Sequence, residues 1–371
     1  MIELRTGDRA AAFDVPFRAY GKDSPYVSPM WADFDRMLDP ARNPFCTEGH
    51  GRFELTTAHR DGSPVGRIVA SVHEASNRRH GTRRAQFGFF DCADDPEAAA
   101  ALLGAAEAYA RAHGCTEIAG NFNLTAMQMT GVLTDGFEAA PYTDMMWNPP
   151  HIPRLLEANG YAATFPMMTF EIALDGFDPN ALLGPKQRDI LADLSLEWLP
   201  VTSRTFTDRM EDARQVLNAG FDRNPMFVPL SPAEFNFQAG EMSWIMDFRL
   251  PVIVRHEGRP VGTLICIPDM NPFVRANRSR MGLLTPWHFL RHRLARKRAV
   301  IVLYSVDPEW QNRGLNGAML IRVATELKAA GYERVGGTWI ADVNGASLRQ
   351  AEKIGAKPLH RLHVYGKTLD A

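Results

Sequence analysis

Residues 304–320 read YSVDPEWQNRGLNGAML, and this stretch decides the fold. It predicts a strand end, a tight loop and the first turns of a helix. The loop consists of Gln311, Asn312, Arg313, Gly314, Leu315, Asn316 and Gly317. A helix N-terminus offers unpaired N–H groups and partial positive charge, and glycine lets the backbone approach a ligand. The loop is therefore suited to a pyrophosphate. The alternative is a plain strand–turn–helix connection with a capping glycine.

The sequence on both sides of this loop favours the first interpretation. An apolar run at 298–306 predicts a buried strand before the loop, and 317–332 has helical apolar spacing after it. A second strand at 334–343, a short helix led by Asn344 and a closing strand at 359–369 follow. This order resembles the GCN5-related N-acetyltransferase (GNAT) superfamily. The acyl-CoA loop of that superfamily reads Gln/Arg-x-x-Gly-x-Gly/Ala; Gln311 and Gly314 match it, whereas Asn316 departs from it.

Composition indicates a soluble cytoplasmic enzyme. The length of 371 residues favours two domains, and a net charge of −2 gives no bias toward nucleic acid. The four cysteines have no paired spacing for zinc or for disulfides, so no metal is expected. Residues 1–13 have no apolar signal core, and no run of 18 apolar residues occurs.

An internal repeat predicts two similar domains. The segment AHRDGSPVGRIVASV (58–72) matches VRHEGRPVGTLICIP (254–268), and 86–114 parallels 300–331. With the resemblance, this predicts an α/β fold of two tandem GNAT-like domains, each a mixed, mostly antiparallel sheet flanked by helices. We place the domains at 1–178 and 190–371.

The two repeats differ at the loop. The first repeat is shorter by about the length of the loop and carries Asp94, Asp95 and Glu97 at that point, which would repel a pyrophosphate. We therefore expect the first domain to lack the CoA pyrophosphate loop and the second to bind acyl-CoA.

Each repeat also has its own insertion. In the first, 121–153 is rich in amides, aromatic residues and Met, and we interpret it as a wall of the substrate pocket. Asn121 and Asn123 are its candidate substrate-binding residues, with His50 a weaker one. The alternative is a packed Ω-loop without a ligand.

The second insertion, 268–299, combines basic residues with an apolar block. The basic residues lie within 275–298, and the block includes Trp287, a further candidate substrate contact. This pattern suits an anionic membrane surface or the mouth of a site for an acyl chain. Part of the charge would alternatively meet the CoA phosphates, or the segment is a solvated helical face.

The resemblance also implies where the chemistry lies. In GNAT folds the strands beside the loop splay apart, the acyl-pantetheine lies in the gap, and backbone N–H groups of the first strand face the thioester carbonyl. Here that strand ends at Tyr304 and Val306, and its neighbour ends at Trp339 and Asp342. Asp342 is the candidate base or amine-orienting group, with Asn344 beside it. An N-cap or turn role for Asp342 stays open.

The general acid departs from the family pattern. Many relatives carry a Tyr at the position of Ala351. Tyr304 or Tyr365 replaces it, or water or the substrate ammonium supplies the proton. A thiolate with a pKa of about 8.5 leaves readily, so a missing acid does not forbid catalysis.

Motifs along the whole chain resemble one GNAT subgroup, the YghO-like proteins, which includes bacterial ceramide synthases. They are SPYVSPMW (24–31), FGFFDC (87–92), LTDGF (133–137) and WNPP (147–150). The resemblance implies transfer of an acyl group, long-chain by preference, from acyl-CoA to the amine of a sphingoid base. The basic and apolar segment 275–298 would then deliver the lipid at the inner membrane face, so we expect peripheral attachment there. The alternatives are a small-molecule N-acetyltransferase and a non-catalytic acyl-CoA-binding protein.

Overall fold

The computed structural model describes residues 1–222, 224, 226–240 and 242–370. The strands of the first half are β1 (Ile2–Thr6), β2 (Gly51–Arg60), β3 (Ser63–His73), β4 (Arg84–Cys92), β5 (Glu117–Gly120), β6 (Val132–Asp135) and β7 (Ala162–Ala173). Its helices are α1 (Arg9–Ala19), α2 (Trp31–Met37), α3 (Pro44–Thr47), α4 (Glu74–His80), α5 (Pro96–Ala112) and α6 (His151–Ala158).

The second half begins after a 3-10 turn at Pro179–Leu182 and has another at Pro308–Trp310. Its helices are α7 (Pro185–Ala192), α8 (Phe206–Gly220), α9 (Pro232–Ala239), α10 (Met242–Ile245), α11 (Asn271–Ala276), α12 (Thr285–Ala295), α13 (Leu315–Ala329) and α14 (Gly345–Lys353). Its strands are β8 (Leu196–Leu199), β9 (Val252–His256), β10 (Arg259–Pro268), β11 (Arg298–Val306), β12 (Arg334–Ala341) and β13 (Lys357–Thr368).

All described strands form one continuous sheet. Its order is β1-β2-β3-β4-β5-β13-β7-β12-β11-β10-β9-β8, with β6 beside β13. The pairs β4–β5 and β11–β12 are parallel, and the others are antiparallel. The predicted α/β fold with mixed, mostly antiparallel pairing is confirmed. The sheets of the two halves are joined into one, because β13 lies against β5 and β7 lies against β12.

The repeated hairpins show why the two halves fold alike. In β2–β3 the turn residues Asp61 and Gly62 have φ of 51° and 77°, and in β9–β10 Glu257 and Gly258 have φ of 49° and 76°. Two successive positive φ values are the type I′ geometry, whose twist matches that of an antiparallel hairpin. The matched sequences at 58–72 and 254–268 therefore encode the same turn.

Each half packs one long helix against the sheet. Helix α5 buries Leu102 and Leu103, and α13 buries Leu315 and Leu327. Burying one such side chain contributes roughly 1.5–3 kcal/mol, so these rows of apolar residues hold both helices to their strands. A third cluster joins the halves: Tyr142 and Met145, from the first insertion, pack with residues of α8, β10 and β11. The division into domains at 1–178 and 190–371 stays a prediction. Strands of each half pair with strands of the other, β7 with β12 and β13 with β5.

Candidate active site

The strands β11 and β12 separate partway along their length. They pair from Arg298–Ile301 with Arg334–Gly337, and no further pair joins them among the described residues. A register irregularity between Ile265 and Cys266 of β10 lies opposite the same point of β11. The second half of β11 thus has one free edge, and the splayed gap expected from the resemblance is confirmed.

The loop has the predicted form. Beyond the turn at Pro308–Trp310, Gly314 is the N-cap of α13 with φ 102°, a value that favours glycine. Gln311, Asn312 and Arg313 are exposed, as is Asn316. The predicted order of strand, loop and helix is confirmed; binding of a pyrophosphate by this loop stays a prediction.

Helix α7 lies directly on the loop, a contact that sequence reasoning missed. A Cβ atom built on Gly314 would lie 2.8 Å from Cβ of Lys186, and one on Gly317 would lie 2.9 Å from Nε2 of Gln187. Lys186 Nζ donates to the carbonyl of Asn312 at 2.8 Å. An exposed cation therefore lies beside the loop. The available signal was GPKQRD (184–189), where two basic residues follow a helix-starting Gly-Pro.

Tyr304 is the better placed of the two candidate acids. Its hydroxyl donates to the carbonyl of Asn316 at 2.5 Å and accepts from Nε2 of Gln350 at 3.2 Å. Burial raises the pKa of Tyr304 above its usual range, so the phenol keeps its proton at neutral pH. Tyr365 instead donates to Glu157 of the first half at 2.9 Å. Only Tyr304 of these two contacts the loop and α14.

Asp342 forms an ion pair. Arg361 donates to its two carboxylate oxygens at 2.9 and 2.6 Å. Both carboxylate oxygens are therefore engaged by one guanidinium in a bidentate, charge-assisted pair. Asn344 caps α14, accepting from the backbone N–H of Ser347 at 3.2 Å. Trp339 packs, partly buried, in an apolar cluster that contains Met167 and Ala341. The catalytic roles of these residues stay predictions.

A cavity of about 750 Å³ lies between the two halves. Residues of both insertions line it. That 121–153 forms a wall of the substrate pocket stays a prediction. Val302 and Leu303, at the splay of β11, form part of its lining. Its walls are largely apolar and rich in methionine: Met30, Met37, Met127, Met129, Met145, Met146, Met210, Met242, Met270 and Met281.

Asn121 and Asn123 are both buried in the first half. Asn123 Oδ1 accepts from the backbone N–H of Phe89 at 2.9 Å, and Asn121 Oδ1 accepts from that of Phe90 at 3.2 Å. These amides fill the gap where β4 and β5 stop pairing at Phe87 and Gly120. Asn123 also lines the cavity; contact with a substrate stays a prediction.

One carboxylate of the cavity wall was missed. Asp144 lies in the segment 121–153 with φ 66°, an uncommon conformation for a residue other than glycine. It lines the cavity, and its side chain is accessible there. Although the side chain is accessible from the cavity, the surrounding protein desolvates its carboxylate and raises the pKa of Asp144 to about 7. The available signal was TDMMW (143–147), a lone acid among bulky apolar residues.

His50 lies at another contact between the halves. Its Nδ1 lies 2.8 Å from Oε1 of Glu234 and 3.9 Å from Oε2 of Glu48. Glu234 also completes a capping box with Ser231 at the start of α9. These contacts give His50 a bridging role between the halves, and its predicted substrate contact is untested.

Helix α12, within the second insertion, has no buried residue. Trp287 is 60% exposed and lies outside the cavity lining given by the described residues. The exposed apolar side chains at this helix and the turn before it are Leu283, Leu284, Trp287, Leu290 and Leu294. Met281, 70% exposed, lines the cavity, as does Trp244, 82% exposed. The cavity thus opens beside an exposed apolar surface. Among the described helices, none is long and apolar enough to cross a bilayer.

Comparisons with known proteins agree with this geometry. Residues 220–356 match the model of the Acetyltransferase (GNAT) family. The chain is similar to Protein YghO of Escherichia coli (strain K12), 25% identical over 99% of this chain and 94% of that protein. It is also similar to the Bacterial ceramide synthase of Caulobacter vibrioides (strain NA1000 / CB15N), 27% identical over 96% and 93%. A tandem GNAT protein from the clavulanic acid biosynthesis pathway shares the fold, with a TM-score of 0.60 at 13% identity over 100% and 99% of the two chains.

Proposed function

We propose that this chain is a GNAT N-acyltransferase that moves a long-chain acyl group from acyl-CoA to the primary amine of a sphingoid base, giving a (dihydro)ceramide. The match of residues 220–356 to the GNAT family model and the similarity to a bacterial ceramide synthase support N-acyltransfer. The choice of a lipid amine and a long acyl chain is the proposal.

The cavity is the observation that carries this proposal. At about 750 Å³ it lies in the upper part of the ~300–1,000 Å³ range of small-molecule sites, and an acetyl group with a small amine would leave most of it empty. Unbranched methionine side chains adapt to flexible alkyl chains, which suits a site for two hydrocarbon chains.

The residues around the splay have definite roles in this scheme. The N-terminus of α13 and Lys186 fit the pyrophosphate of CoA, since both offer positive charge at one place. The free edge of β11 beyond Ile301 offers backbone N–H groups toward the thioester carbonyl. Tyr304, which keeps its proton, supplies it to the leaving thiolate.

Helix α12 delivers the lipid in this proposal. Its apolar residues, together with Arg291 and Arg293, suit the interface of an anionic bilayer, where each basic residue contributes about 1 kcal/mol. The cavity opening near Met281 would then face the membrane. The protein would attach peripherally to the inner face.

The test measures thiol release with palmitoyl-CoA and acetyl-CoA, each with a long-chain amino-alcohol base and with small amines. We expect preference for palmitoyl-CoA and the long-chain base, and salt-sensitive co-sedimentation with anionic vesicles. Trp287→Ala should weaken sedimentation, whereas the control Trp310→Ala should not. Preference for acetyl-CoA and a small amine would favour a small-molecule N-acetyltransferase. Binding without thiol release would favour a non-catalytic acyl-CoA-binding protein.

A further inference from the structure

The position of Asp144 is fixed by contacts between the two halves. Just before it, the backbone N–H and Oγ1 of Thr143 donate to Oδ1 of Asp269, each at 3.0 Å, and Thr143 Oγ1 accepts from the N–H of Met270 at 2.6 Å. Asn271 Nδ2 donates to the carbonyl of Pro141 at 2.9 Å. These bonds hold the chain at 141–143 against the base of the second insertion, so the carboxylate has a defined location.

Tyr142 strengthens this anchor. Its hydroxyl donates to Glu171 Oε2 at 2.5 Å, and the guanidinium of Arg298 lies 3.7 Å from its ring centroid. A Cβ atom on Gly336 would lie 2.8 Å from the Tyr142 ring, so glycine is required there for the ring to fit against β12. Tyr142 therefore fixes the first insertion against β11 and β12, the two strands that separate at the gap.

The other charged groups that line the cavity are paired. Arg67 donates to Asp91 at 2.8 Å and to the hydroxyl of Tyr26 at 3.1 Å, and Asp33 lies 3.4 Å from Arg36. For Asp144, the residues that the structure describes provide no hydrogen-bond donor and no cation. A carboxylate accessible in an apolar cavity without a partner is costly, unless a ligand supplies the cation.

We propose that Asp144 binds the ammonium group of the amine acceptor and then takes its proton. The inference rests on the proposed function for its acceptor, a primary amine on a long apolar chain. An ammonium would pair with Asp144, which has no partner among the described residues, while the alkyl chain fills the methionine-rich cavity. The charged end and the apolar end of the acceptor would each meet matching surroundings.

The step balances without any further reactant. One ammonium proton passes to a carboxylate oxygen of Asp144, and the nitrogen lone pair forms a C–N bond with the thioester carbonyl carbon. The C–S bond breaks, with its electron pair leaving on sulfur. A second nitrogen proton is lost as the amide forms, and the thiolate is protonated. Asp144 returns its proton to water when the products leave.

The pH dependence follows from the raised pKa. With a pKa near 7 in the free enzyme, the ionised base grows in fraction as pH rises through 7, so kcat/KM should rise over that interval. The facing charged groups, Arg67 with Asp91 and Arg36 with Asp33, are ion pairs. Asp269 is engaged by Thr143. Asp144→Asn should remove this rise.

The experiment compares Asp144→Asn with Asp135→Asn, an exposed acid of the same segment. We expect kcat/KM for the amine to fall by about 10²–10⁴-fold in the first variant and to be unchanged in the second. Acyl-CoA affinity, measured by calorimetry, should be retained in both and serves as the test of folding. Asp144→Glu, which keeps a carboxylate, should recover part of the activity. A loss below about threefold for Asp144→Asn would overturn the proposal.

A binding measurement separates this inference from the proposed function. Wild-type protein should bind hexadecylamine in preference to hexadecanol, with the preference growing as pH rises through 7, and Asp144→Asn should lose it. If the wild type fails to acylate a long-chain base yet shows this preference, the proposed lipid acylation falls and the Asp144 site stands. If Asp144→Asn keeps the preference, the Asp144 site falls.

Discussion

The two halves share one frame but differ where their parallel strands separate. In the first half the amides of Asn121 and Asn123 fill the gap and occupy the N–H groups of Phe89 and Phe90. Gly120 of β5 and Gly337 of β12 occupy equivalent positions in the two halves, because each is the last residue of its strand to pair with the adjacent parallel strand. Thr338 and Ile340 then stand where the first half has its two asparagines. An isoleucine side chain offers no acceptor, so the second gap lacks the pair of amides that fills the first.

The N-termini of the equivalent helices α5 and α13 differ in the same way: the first has its own polar cap and the second does not. Helix α5 begins at Asp95, whose carboxylate caps it and pairs with Arg60 at 2.8 and 3.0 Å. Helix α13 begins at Gly314, beside Lys186. A carboxylate caps the first helix internally, whereas the start of the second helix has no side-chain cap and lies beside a lysine. The first half thus fills with its own polar groups the positions that the second half leaves open.

The largest effect is expected from Gly314→Glu. The side chain would enter space held by Lys186, in a left-handed conformation, and would add negative charge to the loop. CoA binding should be abolished. Gly104→Glu is the control, because a Cβ at Gly104 of α5 meets no atom within 4 Å. Calorimetry should give one CoA per wild-type chain; two per chain would contradict the comparison.

A double variant, Thr338→Asn with Ile340→Asn, should copy the amide pair into the second half. The new amides would occupy backbone N–H groups that otherwise face the thioester carbonyl. Because removing a single oxyanion donor lowers kcat by about 10²–10³-fold in other enzymes, we expect kcat to fall by at least about tenfold here. Circular dichroism should show the fold intact. Full activity in a folded double variant would show that the second gap does not hold the thioester.

Asn123→Ala should reduce stability and leave CoA binding in place. The substitution removes the acceptor of the buried N–H of Phe89, and leaving that group without a partner lowers the free energy of unfolding by about 1–3 kcal/mol. Chemical denaturation measures the loss, and calorimetry with CoA measures the retained affinity. Weaker CoA binding with unchanged stability would contradict this prediction and would indicate that Asn123 acts in the active site and not in the packing of the first half.

The smallest effect is expected from Asp342→Asn. Because Arg361 holds both oxygens of Asp342, we expect kcat to change less than about threefold. A loss of 10²–10⁴-fold with binding intact would make Asp342 the general base and would weaken the case for Asp144.

The fold was predictable where the sequence carries local signals. The loop at 311–317, its flanking elements and both hairpins follow from glycine placement and apolar periodicity, which act over a few residues. The exchange of β7 and β13 was not predictable in this way, because either strand offers the same alternating pattern to either sheet. The positions of Asp144 and Lys186 were not predictable either, because they depend on contacts with residues distant in sequence. Asp269 holds the chain next to Asp144, and Asn312 accepts a hydrogen bond from Lys186.

The exchange of strands has a consequence for how the protein is made. Strand β5 emerges early from the ribosome, yet its antiparallel partner β13 is the final strand of the chain. Until residue 368 is synthesised, the first half exposes an open sheet edge next to a finished hairpin. The sheet of the amino-terminal half can therefore be completed only after β13 has been synthesised, and we expect a nascent chain stalled before β13 to be prone to pair with its neighbours on the same polysome.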